Sequence, residues 1–350
     1  MSAPSLAVWQ RQVVVITGAS SGVGRAAAVA FARRGWSVAL LARGREGLEG
    51  ARREVEQAGG RALVIQADVA DPDAVIEAGN KVVTAWGGID VWVNNAMATV
   101  FAPVEEITPA EFKRVTEVTY LGQVHGTLAA LRHMRRQGEG TIVQVVSALA
   151  YRSIPLQSAY CAAKAAVRGF TDSLRCELIH EGSRIRLTMV HLPAVNTPQF
   201  DWARSRLPRR LQPIPPIHDP RIAAAAIVRA AREAPRELWV GSPTMQAILG
   251  TMAAPGLLDH LMARRAWDGQ MTEEPASARP DNLFEPVEDT ASRCGRFASV
   301  SRPRAIIASG SVMRAAIGLT VLGLVAALIG LARRSPAAAA ELTTHARSAE

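Results

Sequence analysis

From residue 13 to about 241, short runs of β-branched and aliphatic residues alternate with stretches whose apolar positions recur at helical spacing. That alternation is the pattern of βαβ units around a parallel sheet covered on both faces. The strands it predicts are VVVIT (13–17), WSVALLA (36–42), ALVIQA (62–67), IDVWVN (89–94), TIVQVVS (141–147), RIRLTMVH (184–191) and RELWVG (236–241). Seven such strands with helices between them predict an α/β fold, a doubly wound Rossmann-type seven-stranded parallel sheet in a single domain. Asp71-Pro72 and Thr108-Pro109 each set a capping side chain before a proline at a helix's first position. Thr108 with Glu111 also forms a capping box, a stabilising feature that implies no function.

The pattern breaks between Phe200 and Pro220, where five prolines and dispersed arginines can continue neither a helix nor a central strand. A long irregular insertion there suits a substrate lid; a surface excursion is the alternative. Residues 270–310 are rich in Pro, Ser, Glu and Arg without apolar period and predict a linker with little fixed structure. Ala315 to Ala332 is an apolar run in which Thr320 is the only polar side chain, bounded by Arg314 and by Arg333-Arg334. As a helix it would reach about 27 Å, enough for a transmembrane helix with little tilt; a buried amphipathic or oligomerisation helix is the competing reading. Five arginines from Arg293 to Arg314 against three after Ala332 favour a catalytic domain on the cytoplasmic side of a single-pass C-terminal anchor. Ala316, Thr320, Gly323, Ala327 and Gly330 form a small-residue stripe suited to a homo-oligomer. The expected organisation is a catalytic domain at 1–268, a polar linker at 269–311, the membrane helix at 312–334 and a tail at 335–350.

Composition changes this picture little. The chain has 350 residues, 49% hydrophobic and 20% charged, which is ordinary for a folded protein. Its net charge of +9 comes from scattered arginines without aromatic interleaving, so no nucleic acid is expected as a partner. Cys161, Cys176 and Cys294 lack metal-ligand spacing and predict neither metal nor disulfide. The N-terminal residues carry no basic leader before a long apolar stretch, so no cleavage is expected. Lysine is scarce (Lys81, Lys113, Lys164 among 40 basic residues), which makes each lysine worth inspecting.

Chemistry concentrates at two places. After the first strand comes TGASSGVG, in which Gly18, Ser20, Ser21, Gly22, Val23 and Gly24 lead into an apolar helix. Strand, glycine turn and helix in that order let backbone N–H groups approach a pyrophosphate. Arg43 ends the second strand where many dinucleotide sites keep an acid, and its guanidinium can grip a 2′-phosphate, so NADP(H) is expected over NAD(H). The alternative is an arginine that merely caps the strand in water. Tyr160 and Lys164 lie four apart in SAYCAAKAAVRGF and share one helix face. A lysine ammonium there is expected to lower the Tyr160 pKa from its reference of about 10 and make a proton shuttle. Ser147, ending the fifth strand, can polarise a carbonyl or alcohol oxygen.

Taken together, TGASSGVG, NNAM, Ser147 and YCAAK resemble, in order and spacing, the motifs of the short-chain dehydrogenase/reductase family over residues 12 to 242. The resemblance implies that Tyr160, Lys164 and Ser147 are catalytic and that Tyr160 and Lys164 also touch the cofactor. It further implies that Asp68 and Val69 lie against the adenine, that Asn95 and Ala96 support the cofactor, and that Pro193, Val195 and Thr197 close over the nicotinamide. Two positions depart from the family pattern: Met97 replaces a glycine, and Thr119 stands where an asparagine usually helps hold a relay water. The expected protein is an NADP(H)-dependent oxidoreductase interconverting a ketone or aldehyde and an alcohol, on an apolar small molecule in view of the anchor. A membrane-tethered NADPH-binding scaffold or sensor without turnover is the rival.

Overall fold

The computed structural model describes residues 12–288 and 292–320, with single positions at 323, 326 and 329. Strand and helix alternate from the start: β1 (Val13–Thr17), α1 (Gly22–Ala32), β2 (Ser37–Ala42), α2 (Arg45–Gln57), β3 (Arg61–Gln66), α3 (Pro72–Trp86) and β4 (Val91–Asn94). A two-residue strand β5 (Val100–Phe101) precedes α4 (Pro109–Thr116), which runs through a π turn at Glu117–Leu121 into α5 (Gly122–Gln137). Then follow β6 (Glu139–Ser147), α6 (Ser158–His180) and β7 (Arg184–Leu192). The proline-rich stretch forms α7 (Gln199–Trp202), β8 (Arg204–Ser205) and β9 (Arg209–Leu211) before α8 (Pro220–Glu233) and β10 (Glu237–Val240). Beyond lie α9 (Gly241–Ala253), α10 (Pro255–Asp268), β11 (Met271–Pro275) and β12 (Ile307–Ser309).

The main sheet has the order β12-β10-β7-β6-β4-β1-β2-β3. All seven expected strands are in it, and their pairings are parallel. Successive side chains of β1 feed opposite faces, as a two-residue period requires. Val14 and Ile16 pack with Phe31 of α1 and Ile227 of α8, while Val13 and Val15 pack with Val82 of α3 and Met134 of α5. The alanines of α1 and α8 keep that first layer thin, among them Ala27 and Ala226, both wholly buried. The order reverses direction between β1 and β4, which opens a crevice at the carboxyl ends of the strands.

The region expected as a linker departs from that expectation. Residues 271–275 pair with β9, antiparallel. Leu283 is 0% exposed in the core beside Val69 and Val118, and Ile307–Ser309 supplies the eighth strand of the sheet. Composition is misleading here because a few apolar residues, spaced without period, anchor polar chain whose backbone groups bond to the domain. Of the described residues, those up to Ile307 belong to one compact unit and those from Ala308 onward to another. Among the described residues no helix is long and apolar enough to cross a membrane; the span expected at 315–332 lies largely outside them.

Candidate active site

The crevice holds a cavity of about 790 Å³, lined by the glycine turn, the ends of β2, β4 and β6, and Tyr160 and Lys164. β1 delivers the buried Thr17 beneath the glycine turn. The Thr17 hydroxyl accepts the N–H groups of Asn95 (2.9 Å) and Ala96 (3.1 Å), and Asn95 Nδ2 donates back to Thr17 O (2.9 Å). Asn95 thus ties β4 to the glycine turn. Gly18 lies at φ +65°, and a Cβ at Gly24 would stand 2.2 Å from Gly18 O and 2.6 Å from Asn95 Nδ2. Only glycine permits that approach of helix to strand, and it is the approach a dinucleotide's pyrophosphate needs. The turn therefore fits the cofactor, with Ser20, Ser21, Gly22 and Val23 on the cavity wall and Pro193, Val195 and Thr197 opposite them.

At the catalytic end, Tyr160 and Lys164 stand one turn apart on α6, Nζ 5.7 Å from the phenol ring's centre. Lys164 is 2% exposed and donates to Val145 O at 2.8 Å, so β6 fixes its ammonium from beneath. Ser147 Oγ accepts the Leu149 N–H at 3.1 Å and lies near enough to Tyr160 to favour its ionised form. Burial raises the Tyr160 pKa, Cys161 adds to the rise, and the Ser147 hydroxyl only partly offsets it. Burial also lowers Lys164 to about 7. The sequence predicts a phenol pulled down by its lysine; desolvation wins instead in the cofactor-free site, because it disfavours the charged form of each group. Such a phenol stays protonated and can give a proton to a developing alkoxide.

Behind Ser147, the wholly buried His191 and Glu237 pair at 3.0 Å, and Tyr151 donates to Glu237 at 3.0 Å. No motif pointed to this polar cluster, whose members lie far apart in sequence. Thr119 sits in the π turn, where its hydroxyl donates to Ala98 O (2.8 Å) and accepts Ala98 N–H (2.9 Å). Its hydrogen bonds go to the backbone. Met97 has no positive φ, so a side chain is unstrained there, and it lines the cavity.

The adenosine end departs most from expectation. Asp68 accepts from Arg114 at 2.5 Å and from Ala70 N at 3.0 Å, and Val69 lines the cavity beside it. Arg43 does line the cavity, but its guanidinium donates to the carbonyls of Asn282, Leu283 and Phe284. Glu288, from the same segment, lies on the N-terminus of α2. Sequence reasoning missed these partners because they sit about 240 residues away in chain without periodicity. Among the described residues no cluster suited to a metal is present.

A profile described as short chain dehydrogenase matches residues 12–207, and the chain belongs to that family. It is 34% identical over 278 residues to an uncharacterized oxidoreductase of Bacillus subtilis, YxnA, covering 78% of this chain and 77% of that one. A fatty acyl-CoA reductase of Acinetobacter baylyi is 31% identical, covering 65% and 75% of the two chains. Among solved structures, an alcohol dehydrogenase of the archaeon Thermococcus sibiricus, complexed with 5-hydroxy-NADP, superposes with a TM-score of 0.57 at 31% identity, over 65% of this chain and 95% of that one. The protein is therefore an oxidoreductase of a family that binds a nicotinamide cofactor.

Proposed function

We propose that this chain interconverts a ketone or aldehyde and an alcohol on an apolar substrate, with NADP(H) as cofactor and Tyr160 as the acid/base. The observation that carries the proposal is the convergence of Ser147, Tyr160 and Lys164 on one cavity with the glycine turn. A bound nicotinamide supplies or accepts the hydride. In the reducing direction Ser147 and Tyr160 would both donate hydrogen bonds to the carbonyl oxygen, drawing electrons from the carbon that is attacked. Tyr160, kept protonated by burial, then passes its proton to the alkoxide, and Lys164 lowers the cost of the phenolate left behind. In the oxidising direction the same groups act in reverse.

Arg43 at the end of β2 supports a phosphorylated cofactor, as does the NADP derivative bound by the Thermococcus relative. The apolar class is supported by Ile154, Trp202, Ile214, Leu258, Leu261 and Met262 on the cavity wall and by the name of the Acinetobacter relative. Attachment to a membrane through residues 315–332, with the catalytic domain on the cytoplasmic side, belongs to the same proposal and rests on the apolar run and, for the orientation, on the arginines that flank it.

The test is Tyr160→Phe, assayed for NADPH oxidation against apolar ketones and aldehydes. Turnover is expected to fall by about a thousandfold or more, with NADPH affinity within about twofold of wild type. Retained turnover would rule out Tyr160 as the proton donor.

A further inference from the structure

Helix α2 begins at Gly44 with no side chain of its own to cap it. Its free N–H groups are taken by a residue some 240 positions away: Glu288 Oε1 accepts from Arg45 N at 2.9 Å, and Oε2 from Glu46 N at 3.1 Å and Gly47 N at 3.4 Å. The carboxylate also presses on Gly44, where a Cβ would lie 2.9 Å from Oε2. One residue earlier, Arg43 donates to Phe284 O and Asn282 O, both at 2.5 Å, and to Leu283 O at 3.4 Å. Farther along, Ser292 O accepts the Gly22 N–H at 2.8 Å, at the first turn of α1. Asn282, Pro286, Val287 and Glu288 line the same cavity as the glycine turn and Tyr160. A strap of chain thus places one carboxylate and several carbonyl oxygens on the donors that a phosphorylated ligand would use.

Two physical points make Glu288 more than a helix cap. A helix N-terminus close to an arginine is the environment that a phosphate monoester seeks, and here the full negative charge of Glu288 occupies it. Arg43 itself spends its hydrogen bonds on neutral carbonyls, and burial and Arg114 outweigh the pull of Asp68 and Glu285 on its charge, while Arg114 is already paired with Asp68.

Resting on the reading that a nicotinamide dinucleotide lies along this crevice, we propose that Glu288 holds the place of the cofactor's 2′-phosphate and decides whether that phosphate is admitted. With Glu288 on α2, a 2′-phosphate meets a like charge and finds Arg43 engaged. It enters only when residues 282–288 withdraw, which frees the guanidinium to take the phosphate oxygens in pairs. A cofactor bearing a 2′-hydroxyl meets no such conflict, since a carboxylate accepts its hydrogen bond.

Full-length wild type, Glu288→Gln and Glu288→Ala would be titrated with NADPH and NADH, following nicotinamide fluorescence without substrate. Both variants are expected to bind NADPH about tenfold more tightly, with no gain in NADH affinity and a loss where the ribose hydroxyl gives up its carboxylate acceptor. In wild type, amide hydrogen exchange at 283–288 is expected to quicken on adding NADPH and not NADH. Unchanged or weaker NADPH binding in both variants, equal gains for the two cofactors, or exchange slowed by NADPH would overturn the proposal. A wild type that prefers NADH, with variants that gain NADPH, would refute the NADP(H) reading and support the gate. A wild type that prefers NADPH, with variants unchanged, would do the reverse.

Discussion

At the scale of single residues, the pair Tyr160 and Lys164 shows how far spacing goes. Four residues on a helix put both side chains on one face, so their partnership was legible from the motif. Their protonation was not, because it depends on how completely β6 and α6 exclude water. Lys164 at about 7 has a sign that can be tested. Between its unfolded value of about 10.5 and 7, the unfolded chain holds a proton that the folded chain has released. Lys164 therefore contributes most to stability above that window, and the contribution is lost as pH falls toward 7. The raised Tyr160 pKa acts oppositely, costing stability as pH climbs above 10. Urea unfolding of the cofactor-free protein should show stability rising from pH 7 to 9.5 more steeply in wild type than in Lys164→Met. The difference in slope should approach about 1.4 kcal/mol per pH unit at most. Parallel slopes would show that Lys164 stays charged in the fold.

At the scale of elements, Glu111 joins two structures that the sequence presents separately. Its capping box with Thr108 is present as expected, Oε2 accepting Thr108 N–H at 2.9 Å. Its other oxygen accepts from Arg204 (3.1 Å) and Arg206 (2.7 Å), so it pins the segment carrying β8 to the start of α4. Burial alone would raise this carboxyl, but Arg206, Thr108 and Arg204 outweigh it and hold the group at about 2. A folded pKa below the unfolded one adds stability above about 4.5, and that stability is lost as pH falls toward 2. Glu111→Gln is expected to cost about 2–4 kcal/mol at pH 7 in denaturant unfolding, with the deficit shrinking below pH 4. A deficit independent of pH would mean that the charge is not what matters. The break in periodicity at 200–220 was readable from its prolines and arginines. Its anchorage was not, since a capping glutamate looks the same whether or not distant arginines reach it.

At the scale of the whole molecule, the segment after α10 determines what counts as the catalytic domain. A boundary at 268 would remove β11, the buried Leu283, the strap over Arg43 and the eighth strand. A chain ending at Asp268 should unfold at least about 10 °C below one ending at Ser309, or fail to fold, because it exposes the core beneath Leu283 and two strand edges. Scanning calorimetry of the two chains decides this; equal midpoints would show that the segment only decorates the domain.

The sequence by itself determined the sheet, its seven parallel strands, the glycine turn and the helical pairing of Tyr160 with Lys164, because each is written in local periodicity or short spacing. Thr119 and Met97 could be marked as departures from the family pattern but not interpreted. The tertiary structure alone decided that Thr119 spends its hydroxyl on Ala98, that burial sets the protonation of the catalytic pair, and that Arg43 meets carbonyls from residues 282–284. It also put Glu288 on the start of α2. The reason is common to all four: solvent exclusion and contacts between distant segments depend on where the chain returns in space, and polar chain without a period carries no local signal of where it will land.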